Sequence, residues 1–179
     1  MDFSVKWDGV EHQIVSLFTA TFTASEGADE GDLIGRLVNN LLGNTPHEDI
    51  YVFTAIDDGE IIGGAIFSRL IYADDPRAVF ILSPMAISTI KQGEGIGQAL
   101  LNHALGSLRG EGVSVAITYG DPAFYGKVGF LPLDQKTAAS PLPLSFPEGW
   151  IGQSLADQPL KPMAGNCRCV TALNDPSIW

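Results

Sequence analysis

Apolar positions recur at helical spacing in the first quarter of the chain and at strand density after it. Val10, Ile14, Leu17, Phe18, Ala20 and Phe22 form a loose helical stripe from Val10 to about Ser25, ended by Gly27. Leu33, Ile34, Leu37, Val38, Leu41 and Leu42 recur at i, i+3, i+4 and predict a second helix over Asp29–Leu42, stopped by Gly43-Asn44-Thr45-Pro46. A short strand at Ser4–Trp7 is expected ahead of both. Ile50–Ile56 is rich in β-branched and aromatic residues and reads as a strand. Asp57-Asp58-Gly59-Glu60 is a hairpin turn, and Ile61–Ile71 the return strand. Gly63-Gly64 inside that strand implies a bulge or a close packing partner.

Ala78–Ile87 is the next strand, and it contains Pro84. Proline has no N–H for a ladder, so mid-strand it implies an edge, a bulge or a splayed neighbour. Lys91-Gln92-Gly93-Glu94-Gly95-Ile96-Gly97 follows and opens a helix in which Ile96, Ala99, Leu100, Ala104, Leu105 and Leu108 face a core, closed by Gly110 and Gly112. Val113–Tyr119 is a strongly apolar strand, and strand, helix, strand at this spacing fits a parallel crossover. Gly120-Asp121-Pro122 turns into a short helix over Ala123–Lys127, and Gly129-Phe130-Leu131 re-enters the sheet. The Pro-rich extension, 140–179, is expected to end in one strand at Cys169–Leu173. One domain spanning 1–179 is expected, large enough to bury a core.

Composition narrows the function. The chain is 45% hydrophobic and 17% charged, which describes a folded globule. No apolar run approaches the roughly 20 residues that span a bilayer, and no signal peptide is expected at Met1–Trp7, so no membrane association and a cytoplasmic location are the expectations. With 10 Lys and Arg against 21 Asp and Glu, the net charge is −11, and the basic patch of a nucleic-acid binder is missing. Cys167 and Cys169 have neither zinc nor disulfide-framework spacing, and His12, His47 and His103 join no metal motif, so no metal is expected.

The glycine turn is the chemical signal. A glycine-rich turn that opens a helix points unpaired N–H groups forward at the positive end of the helix dipole, where phosphate binds. The register excludes the dinucleotide fingerprint: starting at Gly93 the third glycine comes one residue early, at Gly97, and starting at Gly95 the sixth position is Leu100. No Gly-Lys-Ser/Thr follows, as a Walker loop needs, and no nucleophile elbow or zinc-protease helix is present.

Gln92-x-x-Gly95-x-Gly97, following a strand that ends Met-Ala-Ile, resembles the pyrophosphate loop of the GNAT family of N-acetyltransferases. Phe124-Tyr125-Gly126-Lys127-Val128-Gly129-Phe130 resembles that family's Tyr-x-x-x-Gly-Phe segment about 30 residues on. The resemblance covers Ile50–Leu133 closely and the first two helices loosely. The whole layout is similar to the YhbS-like branch of predicted acetyltransferases. It implies an α/β fold with a central, mostly antiparallel sheet splayed between strands 4 and 5 and helices on both faces. It implies acetyl-CoA as cosubstrate and an amine as acceptor. Backbone groups of Met85, Ala86 and Ile87 would pair with the pantetheine. Gln92, Gly93, Glu94, Gly95, Ile96, Gly97 and Gln98 would cradle the pyrophosphate, with Lys91 or Lys127 as the nearest cation for the CoA phosphates.

Tyr125 matches the family's general acid, and the N–H of Ile87 or a neighbour its oxyanion donor. The resemblance supplies no general base, because Ala78–Ile87 holds neither Glu nor His. Asp121 is a candidate by position only, or a turn residue or helix N-cap, Tyr119 a core or substrate contact, and His103 a structural or surface residue. Three readings stand at this stage: an N-acetyltransferase, a silent acyl-CoA-binding module on the same fold, and, weakened by its register, a nucleotide-binding domain. The aromatic tail (Phe146, Trp150, Trp179) either closes an acceptor pocket or pairs with a second subunit in a homodimer.

Overall fold

The computed structural model describes residues 1–179. Its elements run β1 (Asp2–Ser4), α1 (Glu11–Glu26), α2 (Ala28–Asn44), β2 (Ile50–Asp57), β3 (Glu60–Tyr72), β4 (Val79–Ile87), α3 (Ile96–Gly110), β5 (Val115–Tyr119), α4 (Pro122–Tyr125), β6 (Leu131–Pro132), β7 (Trp150–Ser154) and β8 (Cys167–Arg168). The strand order is β1-β2-β3-β4-β5-β7-β6, with β8 on the end of β3. β4 and β5 pair in parallel across the α3 crossover, while the β1–β2, β5–β7, β6–β7 and β3–β8 pairs are antiparallel. This is the mixed α/β sheet expected from the pattern of elements. No helix is long and apolar enough to cross a membrane.

The chain divides into two compact units, Met1–Phe67 with Pro84–Ala104, and Ser68–Ser83 with Leu105–Trp179. In the first, Gly27 at φ 100° is both the end of α1 and the cap of α2. Ile14, Leu17 and Phe18 of α1 and Ile34, Leu37, Val38 and Leu41 of α2 are buried, as their spacing requires. Asp58 and Gly59, both at positive φ, make the two-residue turn of the β2–β3 hairpin. Gly63 and Gly64 are close-packing positions: a Cβ would lie 2.7 Å from Ile87 Cδ1 or 2.8 Å from Phe18 Cε2. The first strand is not Ser4–Trp7. It lies at Asp2–Ser4, against Thr54–Ile56, because Trp7 is buried, stacks on His47 at 5.2 Å, and accepts the Val10 N–H to close a turn.

In the second unit β5 is the buried centre, flanked by β4 and β7. β7 has no counterpart in the sequence reading. The expected strand at Cys169–Leu173 is also displaced: pairing falls on Cys167–Arg168 opposite Ile71–Tyr72, and Thr171–Leu173 is a 3₁₀ turn. A clamp beside that pairing orders the neighbouring stretch of the tail. Arg77 donates twice to the Asp75 carboxylate, at 2.9 and 2.7 Å, and to the carbonyls of Lys161 and Pro162, while Asp75 also accepts the Ala164 N–H. Trp150 and Trp179 are core residues, their indole N–H groups donating to the Ala138 and Leu173 carbonyls. Of the three tail aromatics only Phe146 faces solvent.

Candidate functional site

The first unit holds the glycine turn. β4 ends at Ile87, a 3₁₀ turn spans Thr89–Lys91, and α3 begins at Ile96. Gly93 and Gly95 sit at φ 82° and 79°, with nothing near a hypothetical Cβ. Backbone conformation, not crowding, therefore demands glycine at both positions. The first helical hydrogen bond runs from the Ala99 N–H to the Gly95 carbonyl at 3.1 Å, so the amides of Ile96, Gly97 and Gln98 lie ahead of it without a helical acceptor. Gln92–Gly95 are exposed, whereas Ile96 and Gly97 are buried. The Gln92 side chain turns back and donates to the Ile87 carbonyl at 3.0 Å, tying the turn to the end of β4.

Met85, Ala86 and Ile87 form the last stretch of β4, where half-buried and buried positions alternate. The parallel register with β5 runs from Val79–Val115 to Leu82–Thr118 and ends two residues before Pro84. Pro84 has no N–H to continue a ladder, which accounts physically for the break. Lys91 is not a free cation: its Nζ donates to Asp57 at 2.9 Å, and the Asp57 carboxylate also lies 3.7 Å from the Met1 amino group. Lys127 has no such partner. His103 stacks on Phe3 at 5.0 Å and meets the Phe53 ring edge-on, a structural role.

The second unit holds Tyr125. Asp121 caps α4, accepting the Ala123 N–H at 2.8 Å, with Pro122 at the first helical position. The cap reading of Asp121 therefore holds. The Tyr125 ring packs edge-to-face on Phe124 and Phe130, at 5.0 and 5.8 Å. Its other neighbour is Gly120, where a Cβ would lie 2.7 Å from Tyr125 Cε2. Gly120 is thus a packing requirement of the tyrosine as well as a turn residue.

Burial pushes the Tyr125 phenol up to about 12, and the Asp121 charge acts in the same direction. The phenol's polar partner is the hydroxyl of Thr118. Thr118 is buried and gives its single proton to the Leu82 carbonyl at 2.9 Å. Thr118 acts on the phenol in the opposite direction to burial, lowering its pKa. The sequence reading missed Thr118. Its one signal was a polar residue in an otherwise apolar strand end, Ala-Ile-Thr-Tyr.

At the same end of β5, Tyr119 stacks on Trp179 and its hydroxyl accepts the Phe146 N–H at 2.6 Å. No three His, Cys, Asp or Glu side chains come together as metal ligands.

Residues 48–132 match the family described as acetyltransferase (GNAT) domain. The uncharacterized N-acetyltransferase YjhQ of Escherichia coli K12 is 29% identical over 117 residues, 63% of this chain and 64% of that protein. The uncharacterized N-acetyltransferase YhbS of the same organism is 31% identical over 74 residues, 41% of this chain and 44% of that one. The matched stretch thus spans less than two thirds of either relative.

Among solved structures, E. coli YhbS in complex with CoA superposes with a TM-score of 0.84 at 22% identity, covering 99% of this chain and 93% of that one. A GNAT family acetyltransferase from Brucella melitensis in complex with acetyl-CoA gives 0.73 at 20% identity, covering 96% of each chain. The glycine turn in its register, the break beside Pro84 and the Tyr125-to-Phe130 segment all fall within or beside the stretch, residues 48–132, that matches the GNAT acetyltransferase domain.

Proposed function

We propose that this protein is a single-domain, cytoplasmic N-acetyltransferase that transfers the acetyl group of acetyl-CoA to a primary amine of a small molecule or a protein. The observation that carries the proposal is the turn into α3, where two glycines at positive φ precede backbone amides that have no helical acceptor. The complexes of YhbS with CoA and of the Brucella protein with acetyl-CoA support the same donor.

In this reading the amides of Gly93, Glu94, Gly95, Ile96, Gly97 and Gln98, with Gln92, receive the pyrophosphate. Lys127, the uncommitted cation, serves a CoA phosphate. The backbone of Met85, Ala86 and Ile87 pairs with the pantetheine amides beyond Pro84, where β4 has left its ladder with β5. Because the chain is acidic, main-chain N–H groups supply much of the attraction that basic side chains usually provide.

The neutral amine attacks the thioester carbonyl, forming a C–N bond. The oxyanion is stabilised by the Ile87 N–H. As the C–S bond breaks, the sulfur takes its proton from Tyr125, and the nitrogen releases its extra proton to water. A free thiol of this kind has a pKa of about 8.5, below that of the phenol, so full transfer in water would run uphill. Burial raises the thiol as well, which brings the two groups closer, and the phenolate left by the transfer regains its proton from water.

Tyr125→Phe tests the assignment. Turnover should fall about 10²-fold or more, within the range for loss of a general acid, with acetyl-CoA affinity within about three-fold of the parent. Unchanged turnover would remove the acid role. Acetyl-CoA binding with no turnover on any amine would instead favour a silent acyl-CoA-binding module.

A further inference from the structure

A cavity of about 330 Å³ lies at the end of β5, lined by Tyr119, Gly120, Pro122, Phe146, Glu148 and Gly149. Its walls are held in place from several directions. The Gly120 N–H donates to the Gly149 carbonyl at 3.0 Å, extending the Tyr119–Trp150 register of β5 and β7. Phe146 is 67% exposed, yet its N–H is bonded to the Tyr119 hydroxyl, and Tyr119 is braced by the Trp179 ring. The preceding Ser145 hydroxyl donates to the Trp179 carbonyl at 2.6 Å.

The charge at the cavity is one-sided. Glu148 is exposed and makes no ion pair, and no Lys or Arg lines the space. Two aromatic faces and a free carboxylate favour a cation attached to an apolar body and disfavour an anion. The cavity also shares a wall with Tyr125, whose ring rests on Gly120. A volume near the lower end for small-molecule sites suits a compact ligand rather than a long one.

We propose that this cavity is the acceptor subsite and that it takes a primary amine carried on a short aromatic or branched apolar group. Glu148 pairs with the ammonium form on arrival, and Phe146 and Tyr119 cover the apolar part. The identification of the occupant as an acceptor rests on the acetyltransferase reading above. The cavity's preference for an amine does not.

The test uses the full chain and three probes of one shape and different charge: 2-phenylethylamine, 2-phenylethanol and phenylacetate. Binding is followed by amide chemical shifts in ¹H–¹⁵N spectra, beside calorimetric titration of acetyl-CoA. The amine should shift Tyr119, Gly120, Phe146 and Gly149 at the lowest concentration, and phenylacetate should bind most weakly. Glu148→Gln should weaken the amine about 3- to 10-fold and leave the alcohol unchanged, as loss of a charge-assisted contact predicts. Phe146→Ala should weaken amine and alcohol alike. Both side chains are exposed, so both variants should fold with the parent's melting temperature and bind acetyl-CoA as the parent does.

Amine shifts centred elsewhere, or equal amine affinity in Glu148→Gln, overturn the proposal. Failure of the parent to bind acetyl-CoA, with the amine still seated at Phe146 and Glu148, overturns the donor reading and leaves the amine site standing.

Discussion

The turn at Gln92–Gln98, in the first unit, and the wall at Phe146–Gly149, in the second, are built in opposite ways. The turn is local. Two glycines fix its path by their own backbone angles, a helix start supplies the open amides, and Gln92 closes it onto Ile87 five residues back. The wall is assembled from distant pieces. Phe146 is positioned by Tyr119, Tyr119 by Trp179, and the tail between them by Trp150 on Ala138 and Arg77 on Lys161 and Pro162. Within this chain, the region assigned to the common donor is carried by a short motif, and the region assigned to the acceptor by long-range contacts. A local device tolerates change everywhere else in the chain, whereas an assembled one depends on many separate positions.

The largest effect that would sharpen this contrast is expected at Gly120, where the wall meets the tyrosine. Gly120→Ala places a methyl 2.7 Å from Tyr125 Cε2, so the ring must shift. Displacement of a reacting group by about 1 Å costs roughly 10²-fold in turnover. Acetyl-CoA affinity should stay within about three-fold, because the turn is built without Gly120. A variant with parental turnover would show that the ring position does not matter.

A smaller effect is expected from Arg77→Ala, which removes four hydrogen bonds from charged groups and should destabilise the fold by about 2 kcal/mol. Thermal melting measures it, and a loss equal to that of an exposed surface substitution would contradict the clamp. Arg77 holds the Asp75 carboxyl well below the usual carboxylate range. The clamp's contribution is therefore complete above about pH 4, where an unfolded aspartate is ionised, and is lost only as pH falls through the depressed folded value.

The smallest expected effect is on the alkaline side of the rate profile. The amine must lose a proton to react, so turnover should rise with pH toward the pKa of the amine. The buried phenol stays protonated up to about 12 and should add no descending limb below about pH 11. A descending limb between pH 8 and 10, after subtraction of thioester hydrolysis, would mean that the acid is not a buried tyrosine.

The same contrast explains what the amino-acid sequence made legible. α1, α2 and α3 announce themselves by apolar residues at a helical period, and β2 to β4 by dense apolar runs bounded by turn residues. The glycine turn is legible because a positive φ leaves few residue choices. β7 was invisible: Trp150-Ile151-Gly152-Gln153-Ser154 has no alternation, and it becomes a strand only because β5 and β6 offer their edges to it. β8 was misplaced by two residues, since Cys169-Val170-Thr171-Ala172-Leu173 has the better strand composition, whereas the pairing with Ile71–Tyr72 falls on Cys167–Arg168 beside the Asp75–Arg77 clamp. Tyr125 could be named from its motif, but Thr118 and Gly120, which hold its hydroxyl and its ring, could not. Their roles exist only once β5 and α4 are side by side.

The central claim is that backbone amides at the start of α3 bind the diphosphate of acetyl-CoA. Calorimetric titration of acetyl-CoA into the parent protein and into Gly95→Val tests it most directly. Saturable binding is expected in the parent. In Gly95→Val a loss of about ten-fold or more is expected, because a β-branched residue is strained at φ 79° and pulls the amides out of line. No binding to the parent at millimolar acetyl-CoA, or equal affinity in the two proteins, would contradict the account.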